Sequence, residues 1–254
     1  MYYNPWIPDA ALRILSDFTG SILDIGGGGA PFWKASHIID IQKYSQDKLV
    51  VNAWGVPEKV ERSSQLKIEN KFSRESYTQM DLCGNIRWPF ADKTFDLGLC
   101  SHTLEDLRNP FSAIEEMNRC CRQLLIVCPS RLLEQTRGVD HPRYCGFYHH
   151  PWMVFEENGV LVFRRKTPIV EFPGCHITCP LGKTLKKEYG SMFLFTDSIQ
   201  TIERAFWNEQ EDYADYSQWV GLIRNRRDLF VPDTYRHNLK YWIWKWRQKF
   251  LGAF

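Results

Sequence analysis

Two carboxylates and a run of glycines are the residues of this chain best placed to do chemistry. In Ser21-Ile-Leu-Asp-Ile-Gly-Gly-Gly-Gly-Ala30 a short apolar stretch ends in Asp24 and breaks into four glycines. Twelve positions after Gly28, the apolar run His37-Ile-Ile-Asp40 ends in a second acid. Glycine lacks Cβ and tolerates positive φ, so a ligand can come close to a backbone built from it. Two strands that each end in an acid place both carboxylates at the carboxyl edge of one parallel sheet. Open α/β sheets bind nucleoside ligands at that edge, where the acid at the second strand's tip accepts from ribose hydroxyls. Asp24, Gly26, Gly27, Gly28 and Asp40 therefore read as one nucleoside-binding edge.

A second cluster, Gly138-Val-Asp-His-Pro-Arg-Tyr-Cys-Gly-Phe-Tyr-His-His-Pro-Trp152, holds three histidines, two tyrosines and a tryptophan. An oxygen or nitrogen nucleophile loses a proton as it reacts, and a histidine near neutral pH can take it. His141, His149 and His150 are candidate bases, with Tyr144 and Trp152 as walls; the alternative is that these rings only pack the loop against a core. A zinc or iron site built from the histidines is a lesser alternative, because no metal-binding spacing is met cleanly, and no metal is assigned. Cys175-His176-x-x-Cys179 lacks a matching second pair and reads as packing.

The elements that must position these residues follow the pattern of a parallel sheet. Ser21–Ile25, His37–Asp40, Phe95–Cys100 and Gln123–Cys128 are strand-like, and Tyr77–Asp81 is a weaker segment that also ends in an acid. A helix is expected over Asp9–Phe18, closed by Gly20. Another begins at Asn109-Pro110, with Asn as N-cap and Pro at the first helical position, and carries Phe111, Ile114, Met117 and Cys121 on one face. Strands alternating with helices indicate a doubly wound α/β fold. Further on, Val160–Arg165 reads as a strand, Ser191–Phe195 as a last strand or loop, and Ile199–Trp207 as a helix.

At 254 residues, with 44% hydrophobic and 15% aromatic content, one large α/β domain with embellishments is expected. Lys+Arg 32 against Asp+Glu 30 gives a net +2, which argues against a nucleic-acid partner. The eight cysteines are expected to be reduced, as befits a cytoplasmic chain. Met1-Tyr-Tyr-Asn-Pro lacks the basic and apolar regions of a signal peptide.

Three further stretches occur in sequence after the glycines: Gln79-Met-Asp-Leu-Cys83, Trp88-Pro-Phe-Ala-Asp-Lys-Thr-Phe-Asp96 and Leu99-Cys-Ser-His-Thr-Leu-Glu-Asp106. With the glycine loop and Asp40, this succession resembles the class I S-adenosylmethionine-dependent methyltransferases, in particular their type 11 small-molecule group. The resemblance covers roughly residues 20–130. It implies a Rossmann-like, seven-stranded, mostly parallel sheet, S-adenosyl-L-methionine as cofactor, and methyl transfer to oxygen or nitrogen of a small acceptor such as a sugar, a lipid-linked glycan or a secondary metabolite. It further implies that Asp24 and Gly26–Gly28 line the methionine end, that Asp40 accepts from both ribose hydroxyls, and that Asp81 meets the adenine amine with Leu82 and Ile41 nearby. Ser101 and His102 would lie beside the sulfonium; His102 either faces substrate or caps the following turn.

The 12-residue link from Gly28 to Asp40 is shorter than the roughly 20 residues of dinucleotide-type units, so the intervening helix is expected to be one turn or missing. That argues against a phosphate-bearing nicotinamide cofactor, which uses a helix N-terminus. It also leaves open a binding module that has lost its chemistry, or an enzyme using the cofactor for another reaction. The resulting organisation is a lead-in helix (1–20), a cofactor-binding core (21–130), a substrate-side insertion with the last strands of the same domain (131–200), and a C-terminal helical extension (201–254). Within that extension, 238–254 places Trp242, Trp246 and Phe250 in an aromatic stripe among basic residues. This is either an interfacial helix making peripheral contact with anionic lipid or a helix laid on its own domain or a partner subunit.

Overall fold

The computed structural model describes residues 8–28, 31–44, 50–51, 57–58, 73–180, 183–185, 191–196, 199–204, 209–224 and 226–232. The aromatic tail 238–254 lies outside the described residues. The chain divides into two compact units, Met1–Cys128 with Met192–Gln200, and Pro129–Ser191 with Thr201–Phe254.

In the first unit, helix α1 (Asp9–Asp17) precedes strands β1 (Ile22–Ile25), β2 (His37–Asp40), β3 (Tyr77–Gln79) and β4 (Phe95–Ser101); helix α2 (Pro110–Cys120) then leads into β5 (Cys121–Cys128). With Ser191–Phe195 these strands form one sheet in the order Ser191–Phe195, β5, β4, β1, β2, β3. The four pairings β4–β5, β1–β4, β1–β2 and β2–β3 are parallel. Among the described residues the sheet has six strands rather than the seven expected. Every residue of β1 is buried, as a strand covered on both faces requires.

The core of this unit joins Ala11 and Leu15 of α1 to Ile22, Phe32, Ala35, Leu97, Leu99, Leu125 and Val127. Full burial of one such leucine or isoleucine side chain contributes about 1.5–3 kcal/mol. Helix α2 starts at Pro110 with Asn109 in the N-cap position, but the Asn109 side chain makes no capping bond. Its buried face runs through Ala113, Ile114, Met117 and Cys120. Cys121, expected on that face, is instead the first residue of β5 because the helix ends one position earlier.

In the second unit, β6 (Trp152–Glu157) and β7 (Val160–Arg165) form an antiparallel hairpin, and β8 (Thr201–Arg204) pairs parallel with β7. The hairpin turns on Asn158 and Gly159, both at positive φ, the arrangement favoured by right-handed strand twist. The helix expected over Ile199–Trp207 is corrected here. Thr201–Arg204 is a strand because each of its residues finds a ladder partner in Leu161–Arg164, and tertiary pairing overrides local pattern. Residues 205–208 lie outside the described residues. Helix α3 (Arg131–Glu134) and helix α4 (Glu209–Ile223) complete the unit. No helix among the described residues is long and apolar enough to cross a membrane, and no disulfide joins any of the eight cysteines among the described residues.

Candidate functional site

At the carboxyl ends of β1, β2 and β4, a cavity of about 580 Å³ is lined by Gly26, Asp40, Ile41, Gln42, Asp81, Leu82, Cys83, His102, Thr103, Asp106, Leu107 and Arg108. Its size suits a small-molecule ligand. Six of the residues singled out in the sequence, Gly26, Asp40, Ile41, Asp81, Leu82 and His102, meet here. Gln42, Cys83, Thr103, Asp106, Leu107 and Arg108 were not singled out. Their signal was contiguity, since each directly continues a stretch already recognised at a strand end.

Asp40 is 4% exposed, and its carboxylate is held from both sides. Gly28 N donates to Oδ2 at 2.8 Å and Gln42 N donates to Oδ1 at 2.7 Å. Each carboxylate oxygen has a second lone pair, so both remain able to accept from a ligand hydroxyl. Beside Asp40, the Tyr77 hydroxyl donates to Gln42 O at 2.8 Å. Burial first, then the Asp40 charge, pushes the Tyr77 hydroxyl up to about 12. Asp81 Oδ1 accepts from Cys83 N at 2.9 Å. Ile41 is 62% exposed on the cavity wall, an apolar surface on which a planar ring can rest.

Asp24, Gly27, Gly28 and Ser101 are not among the lining residues. Asp24 is buried and accepts from Phe32 N at 2.7 Å, so it anchors the link between β1 and β2. No helix stands among the described residues of that link. The glycines are required largely by these acids. A Cβ on Gly27 would sit 2.2 Å from Asp24 Oδ2, and one on Gly28 would sit 2.6 Å from Asp40 Cγ. Gly26 has φ +79° and faces Thr103, whose Oγ1 would lie 2.2 Å from a Cβ.

The end of β4 is the unusual part of the site. His102 has φ +51°, a left-handed conformation that non-glycine residues rarely adopt and that clusters at functional sites. His102 N donates to Val127 O at 2.8 Å, which ties it to β5. Ser101 Oγ and His102 Nε2 are buried and have no hydrogen-bond partner among the described residues. Glu105 is 1% exposed, and among the described residues neither of its carboxylate oxygens accepts a hydrogen bond. Its Oε1 lies 3.4 Å from His102 Nδ1. Burial first, then the negative charges of Glu105 and Asp24, holds the Cys100 thiol well above its ordinary value.

The Trp88–Asp96 stretch does not line the cavity; it is a clamp. Ser21 N and Oγ donate to Asp96 Oδ2 at 2.9 and 2.8 Å, which fixes the start of β1. Arg119 of α2 donates to Phe90 O, Asp92 and Trp88 O at 2.7, 2.9 and 3.1 Å. Hydrogen bonds from Ser21 hold the Asp96 carboxyl below its usual range, and the bond from Arg119 does the same for Glu116.

The histidine cluster belongs to the second unit. There half-buried His141 and exposed Tyr144 and Tyr148 form an aromatic group, with ring centroids 5.0 Å apart for His141–Tyr144 and 5.9 Å for Tyr144–Tyr148. His149 meets Tyr148 edge to face at 5.4 Å. His150 is buried, and its Nδ1 lies 2.7 Å from Glu134 Oε1. Glu134 Oε2 accepts from Lys166 Nζ at 2.6 Å, and Lys166 also donates to Cys145 O and Phe147 O at 2.8 and 2.9 Å. Trp152, expected as a wall of the loop, is the buried first residue of β6. Elsewhere in this unit Arg164 is fully buried, bonded to Asp212 at 3.0 Å and to Asp215, and stacked 4.0 Å over the Tyr216 ring.

A parallel sheet with a glycine loop and strand-end acids around one cavity defines a nucleoside-binding α/β domain. Residues 23–125 match the family model of the methyltransferase domain, which is consistent with the resemblance of this part of the chain to class I S-adenosylmethionine-dependent methyltransferases. That match implies S-adenosylmethionine as the cofactor. The residues present fit that group: a carboxylate with spare acceptor capacity, an exposed apolar wall and a second acid share the cavity. Solved structures similar to this chain include an S-adenosylmethionine-dependent methyltransferase from Thermotoga maritima, 16% identical over 50% of this chain and 52% of that one, with a TM-score of 0.32. Another, from Aquifex aeolicus, is 22% identical over 50% of this chain and 69% of that one, with a TM-score of 0.31. The chain thus spans about half the length of the Thermotoga protein. Among curated proteins, none matches.

Proposed function

We propose that the protein transfers a methyl group from S-adenosylmethionine to an oxygen or nitrogen of a small-molecule acceptor, with the transfer centred on the cavity at the end of β4. The convergence of Gly26, Asp40, Ile41, Asp81, Leu82 and His102 on one cavity carries this reading. In it, Asp40 accepts from the ribose hydroxyls, Asp81 accepts from the adenine amine, and Ile41 and Leu82 contact the base. When bound, the cofactor supplies an electrophilic methyl group together with its own leaving group, so the protein's task is alignment, exclusion of water and handling one proton. His102 is given the proton: its Nε2 is buried, without a partner among the described residues, and belongs to a cavity-lining side chain. His102 is preferred because it lines the cavity; His141, His149, His150 and Tyr144 stay as candidates on the acceptor side.

Calorimetric titration with S-adenosylmethionine and S-adenosylhomocysteine tests the reading. Both are expected to bind, whereas nicotinamide adenine dinucleotide is not; absence of binding to the first two would reject it.

A further inference from the structure

We infer that Glu105 is a positioning residue for His102: it holds the ring proton on Nδ1 so that Nε2 presents a lone pair to the acceptor. This rests on the reading of His102 as the group that takes the acceptor's proton.

The argument begins with the backbone. After β4 the chain turns tightly, with Asp106 N donating to Thr103 O at 3.1 Å and Leu107 N donating to Leu104 O at 3.4 Å. That turn, together with the left-handed φ of His102, brings the side chain three residues on back to the imidazole. The result is Glu105 Oε1 at 3.4 Å from Nδ1. The separation is longer than a hydrogen bond, and contacts between a base and its orienting group commonly tighten only when reactants are in place.

A buried carboxylate that accepts no hydrogen bond is costly. Fold stability alone would favour an apolar residue such as leucine at position 105. What the carboxylate can do here is select a tautomer. A neutral imidazole carries one N–H, and the nitrogen that holds it is set by the partner of that nitrogen. A carboxylate beside Nδ1 selects Nδ1–H and leaves Nε2 unprotonated, the logic by which a buried acid orients a histidine base. During transfer the acceptor's lone pair forms the new bond to the methyl carbon as the sulfur–carbon pair returns to sulfur. The acceptor's proton passes to Nε2, and Glu105 stabilises the imidazolium that results. No other reactant is needed.

Ring-nitrogen correlation spectra of the full-length 15N-labelled protein test this, recorded both without ligand and with saturating S-adenosylhomocysteine. The His102 signal is identified by its loss in His102→Gln. The expected wild-type result is an Nδ1–H tautomer at His102 in both samples. Glu105→Leu is expected to lose it in favour of Nε2–H, while Glu105→Gln, whose amide oxygen can still accept, retains it. Affinity for S-adenosylhomocysteine is expected to stay within about threefold in both variants, since Glu105 does not line the cavity. A wild-type signal of the Nε2–H type overturns the inference without need of any variant. So does an unchanged His102 tautomer in Glu105→Leu. If the wild-type protein shows the Nδ1–H tautomer but binds neither S-adenosylmethionine nor S-adenosylhomocysteine, the cofactor reading fails while the tautomer assignment stands.

Discussion

Glu105 at the edge of the main sheet and Glu134 in the second unit are both 1% exposed, yet their surroundings are opposite. Both oxygens of Glu134 are bonded, one to His150 and one to Lys166, at 2.7 and 2.6 Å. Among the described residues neither oxygen of Glu105 accepts a hydrogen bond, and nearby Ser101 Oγ and His102 Nε2 also go without a partner. One region uses its polar groups to hold itself together; the other keeps them available. The difference separates two histidines that residue type alone treats as equals: His150 Nδ1 is bonded to Glu134, while His102 Nε2 has no partner among the described residues.

The comparison can be broken most forcefully at Glu134. Replacing it with leucine leaves the Lys166 ammonium buried without its carboxylate, and the expected loss of unfolding free energy is about 3–5 kcal/mol, read from denaturant titration. A neutral change after Glu134→Leu would erase the distinction. The same residue has a pH signature. Burial alone would raise the Glu134 carboxyl, but Lys166 and then His150 more than offset it and hold it below its ordinary 4.5. A depressed folded-state value means the stabilisation is complete above the unfolded value and is lost as pH falls through the folded one. Acid unfolding of the wild type is therefore expected to steepen below about pH 4.5, and Glu134→Gln is expected to flatten that limb.

Next in size is Asp40→Ala. Hydrogen bonds to a charged group contribute about 1.5–3 kcal/mol each, so S-adenosylhomocysteine affinity measured by calorimetry is expected to fall about tenfold to a hundredfold. Unchanged affinity would mean the ribose acid is misassigned. Glu105→Leu should move stability the other way. Removing a buried carboxylate without hydrogen bonds is expected to raise unfolding free energy by about 1 kcal/mol; a loss comparable to that of Glu134→Leu would place both glutamates in the same class. The smallest effect is expected at Tyr148, which is 56% exposed. Tyr148→Ala should shift stability by no more than about 0.5 kcal/mol.

Much of the cofactor side was legible because strands buried on both faces read as short apolar runs, and because acids at their ends are spaced by the sheet itself. The elements that escaped did so for physical reasons. Thr201–Arg204 has no pattern of its own that demands a strand; the ladder to Leu161–Arg164 supplies it. The strand Trp152–Glu157 was missed although Asn158-Gly159, a strong hairpin signal, follows it directly. The Pro-Phe stretch falls within the residues matched by the family model, yet its residues clamp α2 and β1 rather than line the cavity. Glu105 stood inside a recognised motif without being singled out, since sequence does not reveal whether a buried acid has found partners.

The short link between β1 and β2 has one more consequence. Its two ends are already tied to the acids, Gly28 N to Asp40 and Phe32 N to Asp24. These attachment points need no rearrangement when a ligand arrives, so little ordering entropy is lost there. At these two points a ligand would dock onto backbone that is already held.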